Sequence, residues 1–431
     1  MRHASSTTTP STRSAWRVAP ALLLATTVVA ATPVAAAPAP APAASAAVVS
    51  TWNGIAVSTV TAGAPGPTAF NYFAFVHLAM YNAVVGITGE YELYKWDKHA
   101  PTGASPEAAA AAAAHRLLVH YFPSATLTLN GHLNASLDLV PDGGAQDKGI
   151  AYGVKAADHI IALRANDGRG AFVTVPTGTG AGHWQPLSAL PSAAFATAWM
   201  GGVTPLAIPS ATEFAPGAPP AIGSAEYNAD FEEVRLLGDA ADPLNARSDE
   251  MDTTAKFFSD AGIGPMQAAL RQYAADNALD IDDSARMFAA VDTAIADGAI
   301  TVWNAKLQYM WWRPITAIRA AGYTTWTPFI GTPAYPEWPS GLCSVVGSVG
   351  TALTSLDSDG VINLTIRSQA AGSPATGPLQ RIYATAADIA DDAVDARVWS
   401  GIHFRSADVA SIEIGADVAT YVLDNYFQPT D

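Results

Sequence analysis

A single cysteine, Cys343, occurs in 431 residues, so no disulfide can form within the chain and its stability has to come from packing. Basic residues are scarce: 22 Lys and Arg stand against 38 Asp and Glu, a net charge of −16. Three of the cations, Arg2, Arg13 and Arg17, lie before position 50 with no acidic residue among them, so the remainder is more acidic still. Such a chain repels nucleic acid and anionic membrane, and neither is expected as a partner. The one long apolar run, from about Val18 to Ala31, follows an Arg-bearing polar stretch and precedes an A-x-A site at Ala35-Ala36-Ala37. Residues 1–37 read as a secretory signal peptide and 38–47 as an Ala/Pro-rich linker. With no later apolar run read as a membrane span, the expected product is secreted, extracellular and soluble. Strict polar and apolar alternation is rare, which leaves little room for strands.

Helical periodicity is abundant. Hydrophobic residues make up 50% of the chain, enough for a substantial core. Apolar residues at spacings of three and four mark helices over 67–87, 105–120, 123–139, 143–166, 225–238, 282–319, 341–356, 379–402 and 406–427. Ser105-Pro106-Glu107 has the residue types of a helix start: a cap, a first-turn proline and an acid at the positive end of the dipole. The fold class is therefore all-α, as two packed helical bundles. An N-terminal helical domain spans 48–245 with a long irregular loop at 167–220, rich in Gly, Pro, Thr and Ser, and a C-terminal helical domain spans 246–431. A weak echo links the halves: Phe73-Ala74-x-Val76-x-x-Ala79 recurs as Phe288-Ala289-x-Val291-x-x-Ala294.

Three clusters in the C-terminal half carry chemistry. Lys306 precedes Arg313-Pro314 by seven residues, about two helical turns, which puts both cations on one face, with Pro314 kinking or ending that helix. Pro339-Ser340-Gly341 precedes an apolar helix and offers a hydroxyl and unpaired amides at its N-terminus. Arg397 precedes His403 by six residues, and Asp408, five further on, is a carboxylate able to orient the imidazole. Together they form a kit for holding a tetrahedral oxyanion, phosphate or vanadate, and bonding its central atom. The oxyanion pocket thus lies mainly in the C-terminal bundle.

The sequence Lys306-x6-Arg313-Pro314, then Pro339-Ser340-Gly341, then Arg397-x5-His403 resembles the signature shared by vanadium-dependent haloperoxidases and type 2 phosphatidic acid phosphatases. Thr301 to Arg319, Trp326 to Gly341 and Gly401 to Asp408 are similar to secreted bacterial members of the haloperoxidase branch. The resemblance implies that Lys306, Arg313, Ser340, Gly341 and Arg397 bind vanadate or phosphate. It makes His403 the axial vanadium ligand or phosphorylated nucleophile, with Trp303 and Tyr335 lining the pocket. It also implies hydrogen peroxide with a halide or a small organic molecule as substrates. Three positions depart from the pattern. Leu342 stands where the family's second histidine transfers protons, Asp408 is five rather than four residues after His403, and Ala396 replaces a common serine. Loss of a proton-transfer group lowers rates by roughly 10²- to 10⁴-fold.

Simpler readings exist for each residue. A basic pair on a helix is ordinarily a solvated face, Ser340-Gly341 alone is an ordinary cap, and His403 with Asp408 can be a structural pair. Three clusters in family order outweigh those readings. Leu342 and Cys343 read as core, the thiol as inert, and Trp311, Trp312 and Trp338 as packing residues. The other histidines, including His77, His115 and His120, show no zinc spacing. The functions in play are a vanadate-binding haloperoxidase altered by Leu342, a secreted acid phosphatase with His403 as nucleophile, and a pseudoenzyme that binds phosphate or an organic anion. Vanadium-independent acid-base chemistry on an organic substrate stays open as a fourth.

Overall fold

The computed structural model describes residues 45–430 except 65, 177, 188–194, 245, 261, 358 and 374–376. The signal peptide and most of the Ala/Pro-rich linker lie outside the described residues.

The first bundle is built from α1 (Ala47–Gly63), α2 (Ala69–Thr88), α3 (Pro106–Tyr121), α4 (Thr126–Leu137) and α5 (Gly144–Leu163). Ser105 caps α3 as expected, its hydroxyl accepting from Ala108 N at 3.2 Å. The alanine run lets α3 approach its neighbours closely: a Cβ at Gly153 of α5 would lie 2.1 Å from the Ala109 carbonyl. The helix comprising Gly66–Thr88 is long and apolar enough to cross a membrane, contrary to the expectation that no such run follows the leader. It is the central core helix of this bundle, with 83% of its most apolar window buried in the protein.

The second bundle contains α9 (Ile281–Tyr309), α11 (Gly341–Leu356), α12 (Ala386–Trp399) and α13 (Arg405–Asn425). Around it lie α6 (Ala225–Leu237), α7 (Asp249–Asp260), α8 (Ile263–Asp276) and α10 (Pro314–Ala320). The two copies of the sequence echo fall on α2 and α9, which pack together across the bundle interface. Equivalent positions of the echo meet there, His77 Nδ1 lying 2.5 Å from an Asp292 carboxylate oxygen. Asn53 and Gln267 complete this buried polar group.

Two sequence expectations are corrected. The helix foreseen over 282–319 is two helices. Met310 adopts a left-handed conformation (φ 45°) and ends α9, residues 310–312 run against 182–184, and Pro314 starts α10 at a first-turn position that needs no N–H donor. Lys306 and Arg313 therefore do not share a helix face. The helix foreseen from Leu379 begins only at Ala386, behind a Thr385/Asp388 capping box. Residues 379–383 belong to an antiparallel hairpin of β1 (Leu364–Ser373) and β2 (Gly377–Tyr383), with Leu364 opposite Tyr383. Leu364, Ile366 and Ser368 are buried at every second position, a short alternation that helical periodicity nearby obscures.

The connection from α5 to α6 contains one short 3₁₀ segment, Ala198–Gly202, among its described residues. It is tied to α9 by the buried Asp297 carboxylate, which accepts from the backbone amides of Leu206, Ala207 and Ile208 at 2.6, 2.7 and 3.0 Å. Asn304 adds a bond to the Gly201 carbonyl at 2.9 Å.

Close packing of α11 on α13 sets the frame for the three clusters. A Cβ at Gly415 would lie 2.1 Å from the Ser344 carbonyl, and one at Gly347 would lie 2.2 Å from that of Ile412. Gly415→Ala must push the helices apart and is expected to cost about 2 kcal/mol or more. Chemical denaturation checks this; unchanged stability would show that the contact relaxes freely.

Candidate functional site: a buried cationic pocket

Ser340 is the N-cap of α11, but its hydroxyl makes no capping bond; it is buried against the Asp408 carboxylate, whose charged form its hydrogen bond favours. Its backbone N–H donates to Ala407 O at 3.2 Å, and the first-turn amides of α11 beyond it have no acceptors within the helix. Gly341 leaves space beside this helix end: a Cβ there would point at the Trp303 ring, 3.4 Å away.

The three cations are buried and differently engaged. Lys306, in the last turn of α9, uses Nζ to donate to the carbonyls of Pro336 (2.7 Å), Glu337 (3.0 Å) and Pro339. It therefore pins the turn that leads into Ser340, and its charge acts on the pocket through space. Arg313 donates from Nε to Tyr335 O at 2.8 Å and from Nη1 to Ile402 O at 2.7 Å, while its Nη2 is buried without a partner. Arg397, near the end of α12, likewise has a buried Nε with no acceptor.

His403 lies just before α13. Its Nδ1 is 3.0 Å from Glu337 Oε1, and its Nε2 is 3.0 Å from Arg313 Nη1. A guanidinium can only donate, so Nε2 accepts and the ring proton sits on Nδ1, donated to Glu337. The carboxylate that orients His403 is thus Glu337. This corrects the expectation for Asp408, which instead accepts from Cys343 Sγ at 3.3 Å and bonds the Ser340 hydroxyl. Sequence reasoning missed Glu337 although it lies inside the Trp326-to-Gly341 stretch; its bond to a residue 66 positions away has no periodic signal.

Trp303 and Tyr335 flank the cations. Their ring centroids are 5.2 Å apart, and Lys306 Nζ lies 5.1 Å from the Tyr335 ring centre and 5.8 Å from that of Trp303. The Trp303 indole donates to Ala196 O at 3.2 Å, which brings the long connection over this wall. Leu342 is half-buried and packs against the main core. His77 is engaged with Asp292 in the interior of the bundles and does not take the place of the missing histidine.

Burial and the crowding of positive charge shape the electrostatics. Burial, reinforced by Arg313, pulls the Lys306 ammonium well below its ordinary value. Burial lowers Arg313 to about 10, and burial with the neighbouring Arg313, Arg397 and Lys306 keeps the His403 imidazole neutral by lowering it well below 6.5. Burial also pushes Glu337 up to about 8 and Asp408 up to about 7, weakening the two carboxylates as counter-charges. The result is a buried site with spare guanidinium donors.

Those donors fit an oxyanion. Arg313 Nη2 and Arg397 Nε are orphaned in one buried cluster, beside Ser340, a helix N-terminus and the neutral imidazole of His403. Among the described residues there is no group of three His, Cys, Asp or Glu side chains suited to a metal ion. A metal that enters as an oxyanion, bonded by one imidazole, needs no such group.

Glu337→Ala would leave the His403 Nδ1–H and the Phe404 N–H, which also bonds Oε1 at 3.0 Å, without acceptors. It is expected to cost about 3 kcal/mol of stability, as two buried donors lose their shared acceptor. Glu337→Gln keeps an acceptor oxygen and should recover much of the loss in a denaturant titration; equal losses would show that the two bonds are not what holds this contact.

Comparison with known proteins bears on the fold. Residues 286–431 match the family described as VCPO second helical-bundle domain. No curated protein matches the sequence at a significant level. Among solved structures, a bacterial vanadium-dependent iodoperoxidase superposes with a TM-score of 0.75 at 21% identity, covering 90% of this chain and 98% of that one. Apo and holo forms of a bacterial vanadium-dependent chloroperoxidase give TM-scores of 0.68 and 0.67 at 17% and 18% identity, each covering 84% of this chain and 94% and 93% of theirs. The chain has the fold of the bacterial vanadium-dependent haloperoxidases, and its C-terminal helices match the VCPO second helical-bundle domain, which bears out the superfamily resemblance of its three motifs.

Proposed function

We propose that the chain binds vanadate in this pocket and acts as a haloperoxidase-like enzyme on hydrogen peroxide and a halide or small organic substrate. The observation that carries the reading is the pair of orphaned buried donors, Arg313 Nη2 and Arg397 Nε, gathered with Ser340 and with His403 Nε2, which accepts from Arg313 Nη1. The two arginines, Ser340 and the amides from Gly341 onward would hold the oxyanion, and His403 Nε2, which here accepts from Arg313 Nη1, would supply the imidazole ligand. Lys306 contributes charge and fixes the turn before Ser340. Vanadate, when bound, supplies Lewis-acid activation of peroxide. Glu337 keeps the His403 proton on Nδ1, leaving Nε2 as the donor atom, and Trp303 and Tyr335 exclude water from one side. The leader-like N-terminus supports an exported protein as part of this reading.

Leu342 favours a second reading, an anion-binding protein with little turnover. It has no ionisable group to move a proton, so a phosphate or organic anion would be bound without reaction. The acid phosphatase alternative uses the same donors with His403 as nucleophile and lacks the same proton donor.

Calorimetric titration of the purified protein with vanadate is expected to show saturable binding, abolished in His403→Ala. Arg397→Ala should weaken it at least about tenfold, since a charged hydrogen bond is lost. Absence of vanadate binding by folded wild-type protein would sink the reading.

Leu342→His is expected to raise peroxide-dependent halide oxidation by roughly 10²-fold. A wild-type rate already equal to the variant's would mean that another group transfers the proton, and turnover of a phosphomonoester without halide oxidation would select the phosphatase.

A further inference from the structure

A cleft of about 430 Å³ opens to solvent between the first turns of α1, the end of α8 and the start of α9. None of the residues assigned above to the oxyanion lines it. The volume falls within the range of small-molecule sites, roughly 300–1,000 Å³. Arg271, Ala274 and Ala275, at i, i+3 and i+4, turn one face of α8 to it, and Ala47, Ser50 and Thr51 do the same from α1. The small alanines on both helices keep the groove open, and Ala278 and Leu279 extend its apolar wall. Of the hydroxyls, that of Ser284 is spent on Leu279 O at 3.5 Å, while Ser50 and Thr51 make no hydrogen bond among the described residues. Among the described residues no Asp or Glu lines the cleft.

The charge in this lining is that of Arg271. It is half-buried, and burial lowers the guanidinium with no carboxylate beside it to offset the cost. Elsewhere the acidic chain meets its arginines: Arg116, Arg164, Arg247 and Arg405 each pair with a carboxylate. Arg271 is held instead by a neutral group. Its Nη1 donates to the Asn53 side-chain oxygen, and Asn53 Nδ2 in turn donates to Gln267 Oε1 at 2.5 Å and lies 3.2 Å from His77 Nε2. This buried chain fixes the guanidinium and uses one of its donors. Nε and Nη2, the side-on fork, have no partner among the described residues and, unlike Arg313 Nη2, are not sealed from solvent.

We propose that this cleft binds a monocarboxylate carrying a short alkyl chain. The carboxylate accepts two parallel hydrogen bonds from Arg271 Nε and Nη2, the geometry that a guanidinium fork matches. The alkyl chain lies against Ala274, Ala278 and Leu279, a wall with no aromatic ring to stack on, and Thr51 at the mouth offers a further hydroxyl donor. One cation suits one carboxylate. The acid excess of the whole chain weakens attraction at a distance, so recognition rests on the fork and the apolar wall. The site shares no residue with the oxyanion pocket and does not depend on vanadate.

The test is calorimetric titration of the folded protein with sodium hexanoate in a low-salt buffer free of phosphate and vanadate. One saturable site per chain is expected, with 1-hexanol failing to saturate it. Ala275→Trp, at an exposed position of α8, fills the groove and should abolish binding while the circular dichroism spectrum stays unchanged. Arg271→Lys keeps the charge but loses the fork and should weaken binding about 3- to 10-fold, the range for one hydrogen bond. No saturable binding below the concentration at which hexanoate forms micelles, equal binding of 1-hexanol, or undiminished binding in either variant overturns the proposal.

Discussion

The Lys306 ammonium, held among the carbonyls of Pro336, Glu337 and Pro339, is the contact on which the pocket depends. A charge taken out of water needs several oriented acceptors, and here they come from one short turn. That turn points the Glu337 carboxylate at His403 and delivers Ser340 to the start of α11 with its hydroxyl turned away from the helix. An apolar side chain at 306 would leave three carbonyls unpaired and the turn without a centre.

Around that contact the fold acts as scaffold and cover. Helix α9 carries Trp303 and Lys306 from the bundle interface to the pocket, and Asp297, two turns earlier on the same helix, gathers three backbone amides of the long connection. The connection then reaches the Trp303 indole through Ala196. The irregular backbone is thus fastened to the helix that supplies the site, which explains how a stretch with little regular structure can close over buried cations.

Charge balance gives the pocket its chemical bias. Burial pushes Glu337 and Asp408 toward their neutral forms, while the arginines retain donors with nothing to receive them. The arrangement is poor as a self-contained ion-pair network and suited to an incoming anion. Leu342 adds no proton carrier, so the structural case for binding an anion is fuller than the case for turning one over.

Much of this was legible in sequence because it rests on local rules. Helical spacing revealed the all-α class, the Ser105 cap and the core helices, and the order of Lys306, Arg313, Ser340, Gly341, Arg397 and His403 marked the residues that the fold brings together. The hairpin at 364–383 and the break at Met310 escaped, since a few alternating residues and one left-handed backbone carry no strong period. The sequence by itself determined the helical class, the cation-rich motif and the leucine within it. Only the tertiary structure decided that Lys306 grips carbonyls, that Glu337 rather than Asp408 holds His403, and which donors stay free. Those contacts join residues 30 to 90 positions apart, and side-chain spacing along a helix encodes only neighbours three or four residues away.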